Sequence, residues 1–371
     1  MFTIQHAEAI KVIKGWLDDI SYSTLNWRIM QFLDQTGQLY PDFIKFVGNI
    51  SRINPLYAFI FSVFRLGQPT ERIYLDTFLP ANVIEALLKT GLLRQKGKYY
   101  QMPEVGIVPL RGMYFVSGLP EVYPTVKRDI LYKQVDDSAW IMMDEIVSQP
   151  VGGDFLELDA DYGILANMAA VKGFKNIQIY PKHSDYIPFI HINLALNQHN
   201  GEVIIHSDTK KYDLIAGTNL SVKAKNVSRN LTISDETDIN QLFSVFGKLK
   251  ESGQAIVLLE STGTISEITV NKWLKDIKGY NVKSIVMNKV PYLSFAMTSY
   301  VQSSWEKQFE LIPREYVDYV RKTIELSDSK AFVFTQLLKI DKQKTDEPFV
   351  LYPFYNPKYS DPLFNYASLT V

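Results

Sequence analysis

The stretch LELDADYGILANMAA, residues 156–170, decides the fold. An apolar run carrying one acid, Glu157, leads into a polar turn through Asp159 and Asp161. Gly163 then opens an apolar segment of helical character. The frame is strand, acid, turn, glycine, helix. Working outward, strands are expected at FLELDA (155–160), IQIY (177–180), VIIHS (203–207), DLIAG (213–217), AIVLLES (255–261), SIVMN (284–288) and AFVFTQLLKI (331–340). Helices are expected between them. Over 238–250 the residues Ile239, Leu242, Phe243, Phe246 and Leu249 make one apolar stripe. Short apolar strands alternating with helices predict an α/β domain with a mostly parallel, doubly wound sheet. In such a sheet a ligand sits beyond the carboxyl ends of the strands, beside the first strand–helix turn.

The front of the chain has a different rhythm. Ala9, Ile10, Val12, Ile13 and Trp16 predict a helix over 6–18, and further helices fall at 23–35, 40–48 and 54–66. In TERIYLDTFLPANVIEALLKTGLLRQKGKYYQM (70–102), a short helix precedes Pro80 and Ala81, which open a second helix that stops at Gly91. A pair of short strands then turns at Lys96-Gly97. Helix, helix and two-stranded wing make a winged-helix-like module, here expected to serve dimerisation or as a substrate lid. The segment 107–119 is a strand-rich connector, and DSAWIMMDEIVS (137–148) is a helix. The expected division is a mostly helical, winged-helix-like domain over 1–125 and a Rossmann-like domain over 126–371.

Composition narrows the function. The 39 Lys and Arg against 40 Asp and Glu leave a net charge of −1, which excludes a broad basic surface. Nucleic acid is therefore not an implied partner, although a local patch is compatible with the balance. The absence of cysteine excludes disulfides, thiolate metal sites and a cysteine nucleophile. Apolar runs such as Ala255–Leu259 fall far short of the roughly 18–20 residues that cross a bilayer. The first sixteen residues lack the layout of a secretory signal. A soluble, cytoplasmic protein is expected.

On these residues, 154–220 resembles the class I methyltransferases that use S-adenosylmethionine. The helical front makes the chain most similar to the HemK/PrmC-type enzymes, whose helical insert before the last strand is matched by SSWEKQFELIPREYVDYVRKT (303–323). The resemblance implies a Rossmann-like methyltransferase sheet, with S-adenosylmethionine as cofactor and a small molecule or peptide as acceptor. It places Glu157 at the acid of the first strand and Gly163 at the third glycine of the cofactor loop. Asp159 and Asp161 stand at the first two glycines. Tyr180, with Pro181 and Lys182, stands where the family carries its ribose-binding acid. Asp208 takes the place of an adenine-contacting polar residue, and Asn193 and Asp213 keep family-like patterns. Thr218-Asn219-Leu220-Ser221 aligns with an Asn-Pro-Pro-aromatic motif from which only the asparagine, the candidate catalytic residue, survives.

The remaining motifs exclude more than they propose. His191 and His199, eight residues apart, would lie about 80° apart on a helix, unlike a zinc-binding pair. No Gly-x-Ser-x-Gly elbow occurs, and GGDF (152–155) and STGT (261–264) lack a Walker lysine. Tyr132, Trp140, Tyr162, Tyr186 and Tyr212 fall near the expected site and would suit a ring-lined pocket for a sulfonium or amine. Two functional readings follow. One is a methyltransferase with a rewritten loop. The other is a methyltransferase-fold scaffold or partner subunit without catalysis, or a pocket turned to another ligand. Both leave room for a homodimer or a heteromeric partner.

Overall fold

The computed structural model describes residues 7–24, 50–52, 54–102, 105–118, 137–150, 152–205, 210–218, 246–264, 267–268, 274–275, 279–291, 332–342 and 349–352. Its helices are α1 (Ala7–Asp19), α2 (Pro55–Ile60), α3 (Arg72–Phe78), α4 (Ala81–Lys89), α5 (Asp137–Ser148), α6 (Ile164–Lys172) and α7 (Ile187–Leu196). The chain forms two compact units. The first takes residues 1–135, 161–167 and 183–200; the second takes 136–160, 168–182 and 201–371.

In the first unit, strands β1 (Thr70–Glu71), β2 (Arg94–Lys96) and β3 (Tyr99–Gln101) form a sheet ordered β1-β3-β2. The expected hairpin is present, with Gly97 at φ +63° in its turn, and β1 adds a third strand that its two residues gave no signal for. Gly91 ends α4 at φ +73°, a conformation that favours glycine. The expected helix over 54–66 changes character midway. α2 is capped by Asn54, whose Oδ1 accepts a bond from the Tyr57 N–H, and a π-helical turn follows over Phe61–Arg65. β4 (Val105–Leu110) and β5 (Met113–Gly118) form a hairpin. Its turn residues Arg111 and Gly112 both have positive φ, as the tightest hairpin turns require. Helix α1 buries Ile10, Ile13 and Leu17 and packs on α4 and α7.

The second unit is built on one sheet. Its strands are β6 (Asp154–Ala160), β7 (Asn176–Pro181), β8 (Glu202–Val203), β9 (Tyr212–Thr218), β10 (Leu249–Thr264), β11 (Glu267–Ile268), β12 (Asn281–Pro291), β13 (Phe332–Asp341) and β14 (Phe349–Tyr352). The spatial order is β14-β12-β13-β10-β9-β6-β7-β8, with β11 paired to β10. From β8 to β10 every pairing is parallel, and counted from β6 the order is 3-2-1-4-5, the Rossmann order. Between β10 and β12 lies β13, antiparallel to both. This is a Rossmann-like sheet with one antiparallel strand. Along β6, Leu156 and Leu158 join Ile215, Val257, Leu259, Leu338 and Ile340 in one apolar core. Strand alternation turns Glu157 to the other face.

Two expectations need correction. Leu249 does not end a helical stripe: the chain turns at Gly247-Lys248, and Leu249 is the first residue of β10 and wholly buried. Among the described residues, the expected strand 203–207 is paired at Glu202–Val203, and Ile205 is exposed. The expected insert 303–323, the expected helix 40–48 and most of those expected at 23–35 and 238–250 lie outside the described residues. No helix among the described residues is long and apolar enough to cross a membrane.

Candidate functional site

Within the second unit, the strands β6 and β7 end side by side. Glu157 pairs with Ile179 and Ala160 with Pro181, so Leu158 and Asp159 together face the single residue Tyr180. That is a β-bulge at the last turn of the central strand. Asp159 accommodates it at φ +48°, in the left-handed region that L-residues other than asparagine and aspartate seldom enter. The Lys182 N–H then donates to the Ala160 carbonyl at 3.0 Å and holds the two strand ends together. Glu157 is 4% exposed, a carboxylate set into the middle of the sheet. Tyr180 is half-buried and packs on the apolar core.

Tested against S-adenosylmethionine, the two ends of this site differ. Glu157 in the middle of β6 and Asp159 near its end put two carboxylates in the second half of the strand, the right chemistry for an ammonium or sulfonium group. The end of β7 offers a phenol, a proline and a lysine in place of paired carboxylate acceptors for ribose hydroxyls, and Asp185 is exposed in the 3-10 turn beyond.

The other turn residues group with the first unit. Asp161 is partly buried there. Gly163 has φ +69°, and a Cβ on it would lie 3.1 Å from Cγ2 of Ile190, so this glycine lets α6 start close against α7. Tyr162 is buried, edge-on to Tyr186 at 5.3 Å, and its hydroxyl accepts the Gly118 N–H at 3.0 Å. Asn193 is also committed internally. Its Oδ1 accepts the Val116 N–H at 2.7 Å, and its Nδ2 donates to the carbonyls of Val116 (3.1 Å) and Tyr162 (3.0 Å). One helical turn on, Asn197 repeats the pattern on the N–H and carbonyl of Tyr114. Sequence reading missed this pair, whose spacing of four on one helix was its only signal. His199 lies beyond the end of α7, correcting the shared-helix geometry, and its Nδ1 is 3.0 Å from Oδ1 of Asn167.

Asp213 and Tyr212 belong to the opposite end of the sheet, where β6, β9 and β10 begin. Tyr212 is wholly buried and donates to Gln178 Oε1 at 2.5 Å, so it lines no pocket at the carboxyl ends. Asp213 Oδ2 accepts the N–H groups of Gly153 and Asp154 and a bond from Lys250 Nζ at 2.7 Å. Lys250 also reaches Asp154 at 2.6 Å, with Lys210 3.2 Å away. The bond from Lys250 is the main reason the Asp154 carboxyl falls from 3.8 to about 2. A depressed carboxylate stabilises the fold above its unfolded value and loses that contribution as pH falls from about 4 to 2. Allowing for solvent screening, roughly 1–2 kcal/mol should vanish over that window. Urea unfolding at pH 7, 4 and 2.5 checks this, and Lys250→Met should remove most of the dependence.

Asn219, Asp208 and Tyr132 lie outside the described residues. Of the candidate site residues, Glu157, Asp159 and Tyr180 are thus brought to adjoining strand ends in one unit, and Asp161 and Gly163 fall in the other.

The fold so defined is a Rossmann-like α/β sheet with its strand β13 antiparallel. No protein-family model and no curated protein matches the sequence. Among solved structures, the chain is similar to P. horikoshii TYW2 in complex with MeSAdo, with 12% identity, 80% of this chain and 98% of that chain covered, and a TM-score of 0.37. M. jannaschii TYW2 in complex with AdoMet matches at 10% identity, 67% and 92% coverage and a TM-score of 0.38. The O-methyltransferase of a Brevibacillus brevis trans-AT PKS multienzyme, in complex with S-adenosyl-L-homocysteine, matches at 14% identity, 55% and 72% coverage and a TM-score of 0.34. The fold rests on the strand order of the sheet and not on these likenesses.

Proposed function

We propose that the end of β6 holds S-adenosylmethionine and that the protein transfers its methyl group to a small molecule or peptide. The observation that carries this reading is Asp159. A left-handed aspartate in a bulge is locally unfavourable, and such strain concentrates where a ligand site demands a particular backbone path. In the methyltransferases that the chain resembles, a glycine occupies this position. The side chain has changed and the backbone conformation suited to glycine has stayed. The cofactor supplies an electrophilic methyl on a sulfonium. Glu157 would take the methionyl ammonium, with Asp159 beside it, and Asn219 would orient the acceptor. Transfer then needs chiefly alignment of nucleophile and methyl at about 3–3.5 Å. The kinship with HemK/PrmC-type enzymes rests on the helical front and the surviving asparagine. Without the two prolines and the aromatic, the acceptor is not the glutamine of a release factor.

A second reading, a scaffold or partner subunit without catalysis, is favoured by Tyr180, which replaces the ribose acid and packs on the core. Calorimetric titration with S-adenosylmethionine and S-adenosylhomocysteine separates the two. Binding at micromolar levels is expected. Glu157→Ala should abolish it without unfolding the chain, and Asp159→Gly, which keeps the backbone path, should leave it measurable. Absence of heat at millimolar ligand would leave the scaffold reading in possession.

A further inference from the structure

We infer that Asn200-Gly201 is a site of spontaneous covalent modification, at which Asn200 loses ammonia and becomes aspartate or isoaspartate. Asn-Gly occurs once in the sequence. Helix α7 ends just before it. Gln198 takes the left-handed conformation at φ +59°, and its N–H donates to the Ala195 carbonyl at 3.1 Å. The His199 N–H donates to the Leu194 carbonyl at 2.8 Å and completes the closing turn of the helix. Pairing resumes at Glu202, opposite Gln178 on β7. Along a strand, alternate N–H groups point to the same neighbour. The Ile204 N–H donates to the Ile179 carbonyl, so the donor before it is Glu202 and not Gly201. The Gly201 N–H therefore lies outside the ladder, and β8 ends the sheet among the described residues. Asn200 is exposed.

The chemistry needs only these two covalently joined residues and water. The Gly201 nitrogen, once deprotonated, attacks Cγ of Asn200. The N–Cγ bond forms, the Cγ–Nδ2 bond breaks, and Nδ2 leaves as ammonia, taking up a proton in place of the one Gly201 lost. Water then opens the cyclic imide. Cleavage at Cγ gives aspartate. Cleavage at the main-chain carbonyl gives isoaspartate, which runs the main chain through Cγ and lengthens it by one carbon. Glycine at 201 leaves the attacking nitrogen uncrowded, where a Cβ would stand beside it. Other exposed asparagines lack this combination. Asn82 precedes Val83, whose N–H donates to the Pro80 carbonyl at 3.0 Å. Asn176 precedes Ile177, a β-branched residue held within β7. The product adds a negative charge two residues before Glu202, whose Oε2 accepts a bond from Gln178 Nε2 at 2.7 Å. None of this depends on S-adenosylmethionine.

The test is peptide mass spectrometry of the full-length protein after incubation at pH 9 and at pH 5, native and in urea. At pH 9 the peptide holding residue 200 should become heavier by about 1 Da, the exchange of an amide NH2 for OH. It should resolve into aspartate and isoaspartate forms. The gain should be slower at pH 5, because attack needs the deprotonated nitrogen. Peptides holding Asn82 and Asn176 should keep their mass. Gly201→Ala should slow the gain by about tenfold or more. Gly201 is not among the left-handed glycines, so alanine keeps the backbone path, and matching thermal unfolding curves establish that the variant folds. The native rate should stay within about a hundredfold of the rate in urea, since no ladder holds the Gly201 N–H. A larger gap would show that the fold locks the dipeptide and would overturn the inference. So would an unchanged mass at residue 200 in the native protein, or gains at Asn82 or Asn176 as fast as at Asn200.

Discussion

Replacing Asn193 with alanine is expected to lower the unfolding free energy by about 3 kcal/mol, read from urea or thermal unfolding. Val116 and Tyr114 lie two apart on β5, and both direct their backbone groups away from β4 toward α7. Two residues of strand rise about 6.8 Å, and four residues of helix rise about 6 Å. The amides of Asn193 and Asn197 therefore meet alternate residues of the strand, as a neighbouring strand would. Alanine at 193 leaves a buried N–H and two carbonyls short of partners, each worth about 1–3 kcal/mol when unsatisfied. Aspartate should rescue at most the bond from the Val116 N–H, because it cannot donate to the carbonyls of Val116 and Tyr162. A loss under about 1 kcal/mol would show that the strand edge is satisfied by other means.

Gly253→Ala is the second large effect. Where β10 runs beside β9, Leu249 pairs with Tyr212 and Gln254 with Leu214, so the chain between them is thrown out of register. Gly253 closes that irregularity. A Cβ there would stand 2.7 Å from the Tyr212 carbonyl oxygen and 3.0 and 3.1 Å from the backbone N and O of Lys250. All three are backbone atoms held in the sheet, and none can swing aside as a side-chain end would. Alanine should destabilise by about 2–4 kcal/mol. Gly97→Ala, with open space around it and only its positive φ to strain, should cost about 1 kcal/mol or less. Equal losses in the two variants would mean that the sheet shifts to admit the methyl group.

The sheet was legible because its strands announce themselves. Val257 to Leu259 is a buried apolar run, and Ile177 and Ile179 flank a buried Gln178; the strand expected at 177–180 is found within a residue, and the one expected at 255–261 extends over Leu249–Thr264. β1 and β14 were not legible, since two and four residues carry no period. The insertion of β13 between β10 and β12 was not legible either, because strand order is set by pairings between segments far apart in the chain. At the candidate site, the sequence marked Asp159 as a departure from glycine. It could not say that the backbone keeps the left-handed path, because φ is set by the bulge against Tyr180. Asn193 was read as keeping a family-like pattern, and its three bonds run to strand and turn residues far away in the chain. Side-chain bonds to distant backbone leave no local periodicity. Tyr212 was misplaced for a simpler reason: it lies at the start of its strand, and the site lies at the end.

The first compact unit is not a continuous piece of chain, since it draws on residues up to Asn200. On the ribosome, α1 and the β4–β5 hairpin emerge long before α7, the helix that supplies the asparagines for their open edge. At about 5–20 residues per second, the nascent chain waits several seconds with that edge uncovered. A fragment ending at residue 135 would keep the edge bare for good, and is expected to aggregate where the whole chain folds.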